Sequence, residues 1–327
     1  MLKISPVAID QLSVTILMDN HVSSLLNNTG PVKRPSTEEE IVASLTEGGF
    51  VKSQLRAEHG FSAWVTIQKN GDQHSIMFDA GVSPTGVSEN MRIFDLSPKD
   101  AEAIVFSHGH FDHTVGIDGI LDDLGSQNTP MIIHPEFWNK RRIQLPGKTP
   151  RILPTTSKIA LKEGGLDVIE ESRLPSFLLD NSLLITGEVD RITDYEKGLA
   201  GQEVFNEGSW HPDPLTLDDQ ALIANIRGKG LIIVTGCGHS GVVNICNYAK
   251  KLTAENKIHA IIGGFHLPDG LDTATIQNTI SDLKALDPDW LVPAHCTGQK
   301  AILSLVKELP NSIIQNSVGS QYIFTSS

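Results

Sequence analysis

The stretch VFSHGHFDHTVGI, residues 105–117, places three histidines and an aspartate within six consecutive positions. His108 and His110 alternate as neighbours do in an extended chain, so both side chains leave on one side, whereas Asp112 and His113 follow once the chain has begun to turn. One short loop can therefore present two pairs of ligands in different directions, which suits two metal ions better than one. Imidazole nitrogen with carboxylate oxygen favours zinc, with iron and manganese as alternatives, since geometry and availability select as much as affinity. The flanks agree. AEAIVFS ahead of the motif is an apolar strand ending in a small residue, and TVGIDGILDDLG behind it reads as a helix with Ile117, Ile120, Leu121 and Leu124 on one side. The ligands thus fall where a strand hands over to a helix, outside the carboxyl end of a strand, where open sheets bind ligands.

The chain has 327 residues, 39% of them hydrophobic, enough to bury a large core. Length alone suggests about two domains, but no proline-rich or glycine-serine linker divides the sequence. The expectation is one domain over 1–327 with insertions at about 20–58 and 139–215. The first twenty residues lack a basic region leading into a long apolar run, and no later stretch could span a bilayer, so a cytoplasmic enzyme is expected. Three cysteines, Cys237, Cys246 and Cys296, make no disulfide framework. Net charge is −13 and no basic cluster exceeds NKRRIQ at 139–144, which excludes a broad nucleic-acid surface. The expected partner is a small-molecule substrate, with neither nucleic acid nor membrane, and a homo-oligomer left open. Lys140, Arg141 and Arg142 read equally well as a solvated turn or as an anion clamp beside the site.

Strand-like runs alternate with helical ones, giving an α/β chain. The strands are LSVTILMDN, FSAWVTIQKNG, QHSIMFDAG, AIVFSHGH, MIIHP, LLITGEV, QALIANIRGKGLIIVTGCGH, HAIIGGFH and DWLVPAHC. Helices are expected at about 37–49, 98–103, 114–125, 240–255, 272–286 and 298–308. KNGDQ and IRGKG read as hairpin turns. A weak internal echo pairs HSIMFDAG with GLIIVTGCG, AEAIVFSHGH with IHAIIGGFH, and PMIIHPE with DWLVPAHC. If the two halves fold alike and face each other, their loops gather at one edge of a two-sheet sandwich, and distant histidines reach the first motif.

Twelve histidines then need sorting. His239, His266 and His295 each follow an apolar strand by a few residues, as His108 does; His239 and His295 read as ligands and His266 as a ligand or a close neighbour. His59 and His134 are weaker candidates. His21, His74, His211 and His259 read as surface or loop residues.

These residues resemble the metallo-β-lactamase fold superfamily, whose H-x-H-x-D-H signature matches His108, His110, Asp112 and His113. MFDAG at 77–81 resembles the strand end that precedes the signature. ILMDN, AEHGFS, TGEVDRITDYE, DDQALI, TGCGHSG, GGFHL and PAHCTG resemble the branch of 7,8-dihydropterin-6-methyl-4-(β-D-ribofuranosyl)aminobenzene-5′-phosphate synthases. The resemblance implies an αββα sandwich, with His108, His110 and His239 on one ion and Asp112, His113 and His295 around a second. It also implies that Asp79 orients a ligand histidine. Many members carry an ion-bridging aspartate where this chain has Cys237, which therefore reads as either a ligand or a small buried residue.

A closed four-ligand zinc site is structural and an open one catalytic, and ligands spread over loops with too few cysteines for a cage imply an open one. A divalent ion there acidifies water and polarises a carbonyl or phosphoryl oxygen. Asp112 would hold the second ion or take the nucleophile's proton, and His266 would steady a developing oxyanion. The expectation is a metal-dependent hydrolase or transferase with one or two divalent ions, acting on a small anionic substrate. The branch points to a condensation that displaces pyrophosphate from a pterin, with Lys140, Arg141 and Arg142 on the phosphates. A lactonase or phosphodiesterase is the alternative enzyme, and a ligand sensor with a degraded metal site the alternative outside catalysis.

Overall fold

The computed structural model describes residues 3–36, 39–125, 127–170 and 173–326. Two large sheets face each other. The first has eight strands in the order 166–169, 129–132, 104–105, 72–78, 62–69, 11–18, 321–325 and 32–33; the second has six, in the order 176–178, 183–185, 221–226, 230–235, 258–264 and 290–294. Period-two alternation explains the layers. Leu222, Ala224, Ile232 and Val234 point inward against Val14, Ile16, Val65 and Phe78 of the first sheet. Ile223, Leu231 and Ile233 point outward beneath the helices Val242–Thr253, Thr273–Leu286 and Gln299–Glu308. On the far side, Met77, Ile104 and Phe106 pack under the helices Gly86–Ile93 and Ile117–Leu124. The result is the αββα sandwich.

The echo between the halves appears in the pairing. Ser62–Lys69 runs antiparallel to Asp72–Phe78, which runs parallel to Ile104–Val105, itself parallel to Thr129–Ile132. Ala221–Ile226, Gly230–Thr235, Ile258–Gly264 and Trp290–Ala294 repeat that antiparallel, parallel, parallel succession. Both antiparallel pairs are the expected hairpins: Asn70 and Gly71 turn the first at φ 54 and 95, and Gly228 sits in the second at φ 75. Successive parallel strands place all their carboxyl ends at one edge.

Some expectations need correction. No helix covers 37–49. Residues 37 and 38 lie outside the described residues, and beyond them Glu40–Val42 and Phe50–Lys52 form an antiparallel ribbon. Gly48 and Gly49, at φ 94 and 79, belong to its turn and not to a helix. The helix expected at 98–103 is a single 3-10 turn, Pro98–Asp100. Residues 139–215 are not one insertion. Their strands 141–143, 151–152, 202–206 and 209–212 form a separate small sheet, but Leu166–Ile169 and Leu183–Ile185 join the two main sheets. Among the described residues no helix is long and apolar enough to cross a membrane.

Candidate metal centre

His108 follows the Ile104–Val105 strand, and His110 stands at the start of the short helix Phe111–Thr114, which turns Asp112 and His113 away from the first two ligands. Gly109 lets the loop pass, since a Cβ there would lie 2.1 Å from the Phe137 carbonyl oxygen. His239 and Cys237 come from the loop after Gly230–Thr235, and His295 from the end of Trp290–Ala294. Asp79, His266 and His295 all adopt left-handed φ, at 59, 44 and 49. Such strain at three strand ends re-aims side chains toward the sandwich edge and persists only where the surroundings enforce it.

Two groups of donor atoms form. In the first, His108 Nε2 lies 3.0 Å from His110 Nδ1, while His239 Nε2 is 3.2 and 3.1 Å from them. In the second, His113 Nε2 is 3.1 Å from His295 Nε2, which is 3.3 Å from Asp112 Oδ2. Cys237 Sγ lies 3.2 Å from His113 Nε2 and groups with His108 as well, so the thiol stands between the two sets.

The outer hydrogen bonds fix what these atoms offer. His108 Nδ1 donates to Ser107 Oγ at 2.9 Å, and that hydroxyl donates to Asp79 Oδ2 at 2.7 Å. His110 Nε2 donates to Gln202 Oε1 at 2.6 Å, and His113 Nδ1 to Asp79 Oδ2 at 2.7 Å. Each ring thus spends its proton outward and turns a lone pair inward. Lone pairs facing each other at 3.0 Å repel unless a cation lies among them. Ligands on a tetrahedral zinc at ~2.05 Å would stand about 3.3 Å apart, close to the observed triangle. The donor set therefore fits a metal ion.

Electrostatics agrees. Burial, followed by the neighbouring imidazoles, lowers the pKa of His108 and His239 well below the ordinary value, and burial with the Arg141 charge brings His110 down to about 4, so all three are neutral ligands. Burial opposes a charge on His113 too, but Asp79 and Asp112 outweigh it and push it up to about 9, so a proton takes the cation's place when no metal is bound. Burial would raise Asp112, yet the His295 hydrogen bond and the His113 charge hold its carboxyl far below the usual range. Burial pushes the Cys237 thiol up, and metal coordination is what would ionise it.

Several residues outside the donor sets position them, and of these Gln202 has no sequence signal beyond its type, whereas Asp19, Asn20, Asp218 and Asp219 lie in the segments ILMDN and DDQALI. Gln202 arrives from the small sheet, its amide nitrogen held by the Asp213 carbonyl and Thr216. Consecutive aspartates tie both ligand loops: Asp218 accepts the Gly109 N–H, between the first two histidines, and Asp219 accepts the Ser240 N–H beside His239, both at 2.8 Å. Asp19 accepts the His295 N–H at 2.8 Å, and Asn20 donates to the His295 carbonyl at 2.7 Å.

The remaining candidates fall in different places. His266 stacks on His239 with ring centroids 4.2 Å apart, and its Nδ1 is buried with no partner among the described residues. His59 has a side chain 66% exposed, with Nε2 3.7 Å from Asp112 Oδ2, so it stands at the mouth. His134 is buried against Glu188. His74 and His259 pair with Glu102 and Asp289, and His211 with Ser209. The anion clamp requires correction. Arg141 is buried, its guanidinium held by Asp213 and Asp218, and Arg142 pairs with Glu203 and covers Trp210; of the trio, Lys140 is the exposed one.

Comparison with known proteins completes the picture. The family model described as the metallo-beta-lactamase superfamily matches residues 58–174. A 7,8-dihydropterin-6-methyl-4-(beta-D-ribofuranosyl)-aminobenzene-5'-phosphate synthase from Methanocaldococcus jannaschii is 32% identical over 257 residues, covering 76% of this chain and 84% of the relative. An uncharacterised protein of the same organism is 32% identical over 254 residues, covering 76% and 88%. The crystal structure of Tm1679, a metal-dependent hydrolase of the beta-lactamase superfamily, aligns with a TM-score of 0.71 at 19% identity, covering 96% of this chain and 99% of that one. Signature, sandwich and relatives agree: the chain belongs to the metallo-β-lactamase superfamily.

Proposed function

We propose that this protein is a metal-dependent transferase or hydrolase acting on a small anionic substrate, and that its specific reaction is a dihydropterin synthase-like condensation that displaces pyrophosphate. The observation that carries the reading is the pair of donor sets with Cys237 between them, because outward hydrogen bonds turn lone pairs of His108, His110 and His113 into a shared space. His108, His110 and His239 would hold one ion, and Asp112, His113 and His295 a second; zinc suits this mixture best, with iron and manganese as alternatives. When bound, such ions supply Lewis acidity toward a carbonyl or phosphoryl oxygen and make water a stronger acid.

The chain's own groups do the rest. Asp112, held ionised, offers Oδ2 to the second ion, and His59, exposed at the mouth 3.7 Å from that oxygen, is the group that can exchange a proton with solvent. His266 offers an uncommitted Nδ1 toward charge that develops near His239. The condensation is supported by the likeness to the methanogen synthase over three quarters of the chain. Hydrolysis of a lactone or phosphodiester is the second reading, favoured by the exposed His59 at the mouth, where water reaches the centre.

Metal analysis by mass spectrometry on protein purified without added metal should find one to two ions per chain, and none would defeat the reading. Pterin pyrophosphates, lactones, phosphodiesters and β-lactams form the substrate panel. The condensation stands if pyrophosphate is released from the pterin and His110→Ala abolishes it. A fully metallated protein inert on the whole panel would favour a sensor.

A further inference from the structure

All three cysteines are free, and they differ in their company. Cys246 is fully buried on the helix Val242–Thr253, in the apolar layer between that helix and the second sheet. Cys237 and Cys296 follow the strands Gly230–Thr235 and Trp290–Ala294, the two neighbours of Ile258–Gly264, so the loops beyond those strands bring them together across the end of the strand between. Their sulfurs lie within 4.8 Å of each other, and the Cys296 thiol donates to the Cys237 carbonyl at 3.1 Å. Gly264 keeps the space between them clear, since a Cβ there would stand 2.6 Å from Cys296 Sγ and 2.9 Å from the Cys237 Cα.

The two thiols are unequally accessible. Cys296 is half-buried and lines the largest cavity, about 830 Å³, which His59, His266 and His295 also line. Cys237 is only 3% exposed. A small oxidant entering the cavity therefore meets the Cys296 sulfur first, with a second thiol behind it, which is the arrangement of an oxidisable cysteine beside a resolving one. A disulfide needs its sulfurs about 2.05 Å apart, so the bond draws the two side chains toward each other. Cys237 Sγ lies 3.2 Å from His113 Nε2 and groups with His108. Pulled toward Cys296, it leaves the space between the donor sets.

We propose that Cys237 and Cys296 form a dithiol site oxidised by hydrogen peroxide, and that their disulfide loosens the metal centre. The Cys296 sulfur attacks one peroxide oxygen and the O–O bond breaks, giving a sulfenic acid on Cys296 and one water. The Cys237 sulfur then attacks the Cys296 sulfur, the S–O bond breaks and a second water leaves. The two thiols give up two electrons and two protons, and the peroxide is reduced to two waters. Exchange with a dithiol reductant reverses the bond. The bridge rests on the placement of the thiols alone, whereas its effect on metal rests on reading the donor sets as metal ligands.

The test takes the protein as purified, measures its metal content, and then treats it with hydrogen peroxide. Intact mass should fall by two hydrogens, and peptide mapping without reductant should find Cys237 joined to Cys296 with Cys246 unmodified. Competition with a chromogenic chelator should show metal held about tenfold more weakly in the bridged protein, and dithiothreitol should restore both the mass and the affinity. Cys296→Ser, compared with itself before and after peroxide, should form no bridge and keep its affinity. Oxygen addition at Cys296 without a bridge, a bridge through Cys246, an unchanged affinity in the bridged protein, or an equal loss in Cys296→Ser would overturn the proposal. Protein that carries no metal at the outset defeats the metal-centre reading instead, and the peptide map still decides the bridge.

Discussion

Asp79 Oδ2 lies 2.7 Å from His113 Nδ1 with both side chains fully buried, and the same oxygen accepts the hydroxyl of Ser107 that holds His108. One carboxylate therefore orients a ligand in each donor set. In Asp79→Asn the shape survives but the acceptor character is halved, and metal affinity should fall about 10- to 100-fold. Competition against a graded series of chelators measures this; an unchanged affinity would remove Asp79 from the centre.

Gln202 should affect one set more than the other. Gln202→Ala leaves His110 Nε2 buried without its 2.6 Å acceptor, at a cost of about 1–3 kcal/mol to the fold. With His110 free to change tautomer, the ion held by His108, His110 and His239 should be lost before the other. Stepwise metal titration by calorimetry distinguishes this from equal weakening of both.

Cys237 stands 3.2 Å from His113 Nε2. If it ligates, cobalt-substituted protein should show a thiolate charge-transfer band in the near ultraviolet that vanishes in Cys237→Ser. A band that persists in the variant would leave the thiol as a buried small side chain.

The metal-free chain should be most stable near pH 6.5. His110 titrates at about 4 when folded, against an ordinary 6.5, so the unfolded chain takes up its proton first. That contribution, about 3 kcal/mol, is lost as pH falls from 6.5 to 4. His113 has the opposite sign: raised to about 9, it stabilises below 6.5, and that contribution is lost as pH rises through 9. Thermal unfolding of chelator-treated protein across this range checks both limbs, and a flat profile would contradict them.

Asp218→Asn should be the most disruptive change outside the ligands. It strips the buried Arg141 of its closest carboxylate and weakens the tie to Gly109. A loss of about 3–5 kcal/mol is expected, as for other broken buried pairs, read as a lowered denaturant midpoint.

How far the sequence could be read depended on the range of the interaction. Residues 108–113, His239 and His295 announce themselves because each donor follows an apolar run within a few positions, and the echo between the halves, with the family resemblance, implied the two-sheet sandwich. Gln202 gives no such sign, since an amide at the head of a short outlying strand acquires meaning only from His110, 92 positions away. The basic trio misled for a local reason. On the strand Arg141–Ile143 successive side chains face opposite ways, so Arg141 enters the interior to meet Asp218 while Arg142 lies outside on Trp210. The helix expected at 37–49 fails at the pair Gly48 and Gly49, whose left-handed φ turns the described part of the segment into a ribbon.

Because the donors are split between the halves, their order of synthesis matters. His108, His110, Asp112 and His113 leave the ribosome long before His239 and His295. The strand Gln321–Thr325, which pairs with Gln11–Met18 in the first sheet, follows both. The first donor set is complete once His239 has been made, and the second only once His295 has. The two sets thus mature in order, and a shortage of metal would be felt last at the second, in chains synthesised past His295 and waiting with a protonated His113.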